Sequence, residues 1–129
     1  MAALARWPGK IDPGTVSAVP LWSPDLMIAC ARLGGADLPK DVELDGRDPL
    51  GVLIEGEVSP HRSMYFTFRS HAALRMGQWK IVRSKPNEAW QLFDLASDLG
   101  ESSDLSAQNP TRLGALVSEF SRWRDSISP

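Results

Sequence analysis

The sequence predicts an α+β fold, in which helices flank one four-stranded antiparallel sheet. Four short runs rich in aromatic and β-branched residues follow one another between residues 64 and 95, with short turn segments between them. Helix-start residues precede these runs at Ser23–Asp25, and an amphipathic stretch that begins at Asn109-Pro110 follows them. Because the strands are grouped and do not alternate with helices, we expect an antiparallel meander with helices packed beside it.

The chain before residue 59 is predicted to be mostly irregular, with a few short elements. Leu4–Trp7 is a short apolar stretch that a Pro-Gly turn signal ends, and we interpret it as the end of a strand. In Ser23–Asp25 the serine can cap a helix, the proline suits its first turn, and the aspartate complements its dipole. Gly34-Gly35 ends this helix. Asp48-Pro49 opens one short helix.

Cys30 is the single cysteine of the chain and lies in the middle of the first predicted helix. Its neighbours are apolar, so we interpret it as a small buried side chain and not as a nucleophile. A single cysteine also excludes intrachain disulfides and a cysteine-rich zinc site.

The four predicted strands are joined by tight connections. Met76–Gln78 forms a hairpin turn between the second and third strands, and Ser84–Glu88 forms a loop between the third and fourth. The predicted strands are Met64–Phe68, Ala72–Met76, Gln78–Arg83 and Trp90–Leu95.

The last predicted element is a helix that starts at Asn109-Pro110. Its apolar residues recur at helical spacing, so one stripe of the helix is expected to pack on the sheet. The residues of the stripe are Leu113, Leu116, Val117, Phe120 and Trp123.

Length and composition set the broad class. The chain has 129 residues, of which 43% are hydrophobic and 23% charged, a composition that excludes a disordered chain, a collagen and a disulfide scaffold. No apolar run approaches the roughly 20 residues of a membrane helix. The first residues lack the apolar core of a signal peptide, so we expect none, and the sequence indicates no compartment.

The charges fall into three blocks. Residues 1–57 carry nine acids and five bases, and residues 88–129 carry seven acids and three bases. Residues 58–87 carry no acid, so this basic block either faces an anionic ligand or pairs with the acidic blocks on either side. Its six bases are Arg62, Arg69, Arg75, Lys80, Arg83 and Lys85.

No complete catalytic or metal-binding set is visible in the sequence. The nucleophile-elbow, phosphate-loop and dinucleotide-binding glycine patterns are absent. His61 and His71 either line a ligand pocket or serve as packing and surface residues. The acids between Asp37 and Asp48 either hold calcium or form a solvated loop, and their spacing matches no calcium-loop motif.

Several segments, taken in order, resemble the sulfatase family. Arg6–Ile11, which reads RWPGKI, resembles the strand and turn that close the large sulfatase domain. Ala73–Val82, ALRMGQWKIV, is similar to the family hairpin "alRxGdWKlv". Gln91–Glu101, QLFDLASDLGE, is similar to the segment "eLYDLxxDPgE". Weaker matches at Ser23–Met27 and Leu44–Asp48 lie between them, and the resemblance runs from Leu4 to about Ser126.

The resemblance implies the C-terminal portion of a sulfatase without its N-terminal catalytic domain. Residues 1–58 would be the tail end of the large domain, with an orphan strand and a helix. Residues 59–129 would be the antiparallel-sheet subdomain with its terminal helix. Trp79, Trp90 and Trp123 would form the core of that subdomain.

The chemistry of the family is not expected in this chain. Sulfatases use calcium and a formylglycine made within a C/S-x-P-S-R motif, both in the N-terminal domain. Cys30–Gly34, which reads CARLG, does not match that motif. We therefore expect no catalytic residue, no metal ligand and no cofactor here, although the family consists of sulfuric ester hydrolases that are often exported.

The expected partner is a sulfatase N-terminal catalytic domain, in the same chain or lost. The resemblance places the sheet subdomain at the rim of the substrate cleft, where Arg69, His71 and Lys85 are the cations best placed to meet a sulfated substrate. No membrane partner is expected, and nucleic acid is not the favoured one. The alternative is a free-standing module that uses the basic block to bind sulfated glycans or nucleic acid.

Overall fold

The computed structural model describes residues 3–127 and confirms the α+β fold, with a four-stranded antiparallel meander and a C-terminal helix. The strands lie side by side in their sequence order. Within the described residues, no helix combines the length and the hydropathy of a membrane span. The elements are α1 (Ser23–Leu33), a π-helical turn (Gly51–Glu55), β1 (Met64–Phe68), β2 (His71–Met76), β3 (Trp79–Arg83), β4 (Gln91–Asp94) and α2 (Pro110–Ser126).

The chain forms two compact units that meet in the sequence between His61 and Arg62. The first unit contains α1 and the π-helical turn, and the second contains the sheet and α2. The boundary predicted from the sequence lies between residues 58 and 59, and the part before it is predicted to belong to a larger domain. That assignment stays a prediction.

The N-terminus of α1 differs from the sequence-based prediction. Ser23 is the first residue of the helix, and Trp22, not Ser23, is the cap residue. The carboxylate of Asp25 accepts the backbone N–H of Trp22 at 3.0 Å, as the acidic partner of a capping box does. Gly34 and Gly35 end the helix as predicted, and Gly35 has a φ of 69°.

One prediction for the first unit is wrong, and another stays a prediction. Leu4–Trp7 pairs with no strand among residues 3–127, so its assignment as an orphan strand of a larger domain's sheet stays a prediction. Cys30 is exposed and not buried. The buried residues of α1 are Asp25, Ile28 and Ala29, so the helix packs along one narrow stripe and Cys30 lies outside that stripe.

The core of the second unit is a row of side chains that crosses the sheet. Leu74 lies opposite Ile81, and Ile81 lies opposite Leu92. All three are fully buried, and the buried side chains of Leu116 and Phe120 of α2 belong to the same cluster. The apolar stripe of α2 packs on the sheet as predicted. Three tryptophans also pack against this cluster, as expected: Trp79, Trp90 and Trp123.

One aromatic pair attaches the edge strand β1 to α2. The ring of Tyr65 stacks on Trp123 with 4.6 Å between the centroids, and its hydroxyl donates to Glu119 Oε1 at 3.1 Å. Burial of the hydroxyl, with the nearby Glu119 carboxylate, raises the pKa of Tyr65 above its ordinary value.

The segment that resembles the sulfatase motif closes the sheet after β4. The Asp94 carboxylate accepts the Gln78 side-chain amide at 3.0 Å and the backbone N–H of Ala96 at 3.0 Å. Leu95 also donates its N–H to the Gln78 carbonyl at 2.8 Å. Gln78 replaces the family's usual aspartate, and here its amide supplies a donor to Asp94 that a carboxylate would not.

Two further aspartates of this segment accept backbone N–H groups. Asp98 accepts the N–H of Ser103 at 2.8 Å, and the backbone N–H groups of Ser102 and Ser103 lower the pKa of Asp98. Asp104 accepts the N–H groups of Leu92 and Ser106 at 3.1 and 2.9 Å. Burial alone would raise the pKa of Asp104, but these bonds outweigh it and the net direction is downward.

We expect the second unit to lose stability in acid because of Asp98 and Asp104. A carboxyl whose pKa is lower in the folded chain stabilises the fold above its unfolded pKa of about 3.9. That stabilisation is lost as the pH falls through the folded value. Urea unfolding at pH values from 7 to 2.5 should show a falling midpoint below about pH 4.

The variant Asp104→Asn tests the assignment of this acid sensitivity. It should be less stable than the natural chain at pH 7 and should lose less stability between pH 5 and pH 2.5. If Asp104→Asn and the natural chain lost the same amount of stability between pH 5 and pH 2.5, that result would contradict the role given to this carboxylate.

Candidate functional site

The three predicted rim residues lie at one end of the sheet. Because the strands are antiparallel and consecutive, the β1–β2 turn and the β3–β4 loop come together at the same end. Ser70 Oγ joins them by donating to the Ser84 carbonyl at 3.1 Å. We call this region, residues 68–71 and 83–90, the loop end of the sheet. It contains Arg69, His71 and Lys85.

The β1–β2 turn places an arginine beside an exposed aromatic ring. Phe68 lies directly opposite His71, so Arg69 and Ser70 form a two-residue turn. Arg69 has a φ of 55°, in the left-handed region that residues with a side chain rarely adopt. Its guanidinium lies 5.2 Å from the centroid of the Phe68 ring. Arg69 and His71 are both exposed, and Phe68 is 67% exposed.

The β3–β4 loop carries two further cations. The Arg83 guanidinium lies 4.6 Å from the centroid of the Trp90 ring and donates to the Pro86 carbonyl at 3.3 Å. Lys85 Nζ lies 3.2 Å from Glu88 Oε1, and both side chains are largely exposed. An exposed pair of this kind contributes about 0–1 kcal/mol and is screened by salt, so Glu88 offsets the charge of Lys85 only weakly.

The six bases of the basic block do not form one continuous surface. Lys80 forms an ion pair with Glu101, and Arg75 donates to the Gly77 carbonyl at 3.1 Å at the opposite end of the sheet. Among residues 3–127, no carboxylate pairs with Arg69. The loop end therefore carries the net positive charge, and part of the block pairs with the acidic segment that follows it.

Phe68 is a neighbour of these cations that the sequence patterns did not predict. A two-residue turn between Phe68 and His71 would have placed the two side chains on one face of the sheet. The turn was not predicted because Arg69-Ser70 lacks the glycine or asparagine that normally marks a tight hairpin.

His61 does not belong to the loop end but to a buried cluster in the first unit. Its Nε2 lies 2.7 Å from Asp25 Oδ1, and both side chains are at most 5% exposed. Asp25 also accepts the backbone N–H groups of Arg47 at 2.8 Å and of Trp22 at 3.0 Å. By accepting these three hydrogen bonds, the Asp25 carboxylate links the start of α1 to the segments that contain Arg47 and His61. The role of His61 here is therefore structural.

The acidic loop of the first unit does not assemble a cation site. Asp48 forms an ion pair with Arg32 and accepts the backbone N–H of Leu50 at 3.0 Å. Residues 3–127 contain no group of three or more His, Cys, Asp or Glu side chains placed to hold a metal ion.

Known proteins similar to this chain are sulfatases. The arylsulfatase of Hemicentrotus pulcherrimus is 39% identical over 78 residues, which are 60% of this chain and 14% of the relative. The steryl-sulfatase of Rattus norvegicus is 34% identical over 90 residues, which are 70% of this chain and 15% of the relative. The chain thus spans about a seventh of the length of these relatives. No family model matches it.

Solved structures agree with the sequence comparison. The structure of Ps i-CgsB superposes with a TM-score of 0.78 and 31% identity, over 91% of this chain and 27% of that protein. The same protein in complex with k-i-k-neocarrahexaose gives a TM-score of 0.77 and 32% identity. The matched regions are small parts of much longer proteins, and they lie toward the C-terminus. This chain therefore belongs to the sulfatase family and corresponds to a C-terminal portion of its members.

Proposed function

We propose that this chain is the non-catalytic C-terminal portion of a sulfuric ester hydrolase. It packs against an N-terminal catalytic part and supplies the rim of that part's substrate cleft. The relatives carry some 85% of their length outside the matched region, which leaves room for a catalytic part. The described side chains supply no metal-binding group.

An exposed apolar face in the first unit supports the packing role. Leu26, Met27 and Leu33 are 62%, 54% and 54% exposed, and Cys30 lies on the same part of α1. Positions 26, 30 and 33 follow helical spacing and so share one face of the helix. Contiguous exposed apolar surface marks an interaction site. We propose that the catalytic part covers this face.

The loop end of the sheet supports the rim role, and one observation carries it. The Ser70–Ser84 hydrogen bond joins the two connections that hold Arg69, His71 and Lys85, so the positive charges of Arg69 and Lys85, which are distant in the sequence, lie at one end of the sheet. A positive surface attracts sulfated substrates and steers their approach. The similar protein Ps i-CgsB has been crystallised with k-i-k-neocarrahexaose, and we propose that this chain meets a sulfated glycan in a related way.

We expect the isolated 129-residue chain to show no sulfatase activity, because the proposal places the catalytic residues in the N-terminal part. The measurement is hydrolysis of p-nitrophenyl sulfate by the pure chain, with and without added calcium. Hydrolysis faster than in the buffer control, with an activity that copurifies with the chain, would contradict the non-catalytic role.

We expect the same chain to bind a sulfated polysaccharide in a salt-dependent way. Exposed charges are screened over about 8 Å at physiological ionic strength, so retention on a heparin column should fall steeply with salt. Lys85→Gln should elute at lower salt, whereas Lys40→Gln, an equal charge change in the first unit, should elute with the natural chain.

Two outcomes would contradict the proposal that the loop end forms the rim of the substrate cleft. Equal shifts in Lys85→Gln and Lys40→Gln would show that net charge alone governs retention. Binding of double-stranded DNA as tight as that of heparin would favour the alternative, a free-standing anion-binding module that uses the basic block.

A further inference from the structure

We propose that Phe68, Arg69 and His71 form a subsite for one sulfated sugar ring. The ligand recognised at the loop end would then be a sulfated carbohydrate and not a free sulfate ion or a small aryl sulfate. This inference rests on the rim role proposed above and assigns the contact with the glycan to three named residues.

The backbone of Arg69 is the first observation that carries the proposal. A two-residue hairpin turn with positive φ normally uses glycine or asparagine, because other side chains crowd the backbone there. Arg69 adopts a φ of 55° in an exposed turn, where glycine would relieve the strain without disturbing any packed neighbour. Backbone strain that persists at an exposed position is typical of binding sites. In this turn the Arg69 guanidinium lies over the Phe68 ring.

The second observation is the exposed aromatic ring. Phe68 ends β1, and its side chain shares a face of the sheet with Phe66 and with the opposite residue His71. Exposure on this face rises along the strand, from 5% at Met64 to 44% at Phe66 and 67% at Phe68. A large apolar ring beside cations offers a flat surface on which the carbon-bearing face of a sugar can pack.

The third observation is the charge around that ring. The Arg69 guanidinium lies 5.2 Å from the ring centroid, and no carboxylate among the described residues neutralises it. A guanidinium presents paired N–H donors that match two oxygens of a tetrahedral anion. His71 provides a second nitrogen-bearing side chain beside the same ring. The three side chains thus offer an apolar surface for the carbon-bearing face of a sugar ring and hydrogen-bond donors for its sulfate group.

The test compares four ligands by titration calorimetry on the full chain. The probes are k-i-k-neocarrahexaose, its chemically desulfated form, inorganic sulfate and p-nitrophenyl sulfate. The proposal expects the sulfated oligosaccharide to bind at least about tenfold more tightly than each of the others, which is the size of one good stacking or bidentate contact. Equal affinity for inorganic sulfate, for the aryl sulfate or for the desulfated sugar would overturn it, as would the absence of binding.

Two variants separate binding from folding. Arg69→Gly relieves the turn, so its melting temperature should rise by a few degrees while its affinity falls about tenfold. Phe68→Ser leaves the charge unchanged and should also bind about tenfold more weakly. Lys40→Ala is the charge control and should bind as the natural chain does.

The variants also distinguish this subsite from the rim as a whole. If Lys85→Gln weakens binding while Arg69→Gly and Phe68→Ser bind like the natural chain, the subsite is wrong and the rim stands. If none of the three weakens binding, both proposals fail. A lower melting temperature in Arg69→Gly would show that Arg69 serves the fold, and it would overturn the argument from strain.

Discussion

The cross-sheet contact of Leu74, Ile81 and Leu92 under α2 is the constraint on which the second unit depends. Each of these side chains is fully buried, and burial of one such side chain contributes about 1.5–3 kcal/mol. That is a large share of the roughly 5–15 kcal/mol by which domains are stable. Because side chains alternate along a strand, a slip of one residue would turn this row to the opposite face. The core therefore fixes the register of β2, β3 and β4. Tyr65 of β1, which lies opposite Leu74 and stacks on Trp123, extends that register to β1 and so to the two residues of the β1–β2 turn.

The proposed site follows from that register and from the closing segment after β4. Once Phe68 lies opposite His71, only Arg69 and Ser70 remain for the turn, and Ser70 can reach Ser84. The aspartates that give the strongest resemblance to sulfatases accept backbone N–H groups after β4. In this chain the aspartates of the motif thus bind the backbone after β4, while Arg69 and Lys85 in the turns of the sheet are exposed.

Much of this architecture could be predicted from the sequence, because its signals are local. Strand-forming runs, a Gly77 turn and the stripe of α2 are each encoded within a few residues. The predictions that failed have separate causes. Asp25, inside the helix, takes the capping role that was expected of Ser23, and Cys30 is exposed because its helix packs along one stripe. The Arg69 turn was missed because it uses a residue that turn rules disfavour, and that same departure identifies the candidate subsite.

The most direct test of the central claim is a map of ligand contacts on the natural chain in solution. Backbone amide resonances would be followed while a sulfated oligosaccharide is added. Shifts concentrated at residues 68–71 and 84–88, with Gly77 and Gln78 at the opposite end of the sheet unchanged, are the predicted result. Shifts centred on Gly77 and Gln78, or spread evenly over all exposed lysines and arginines, would contradict a binding site at the loop end.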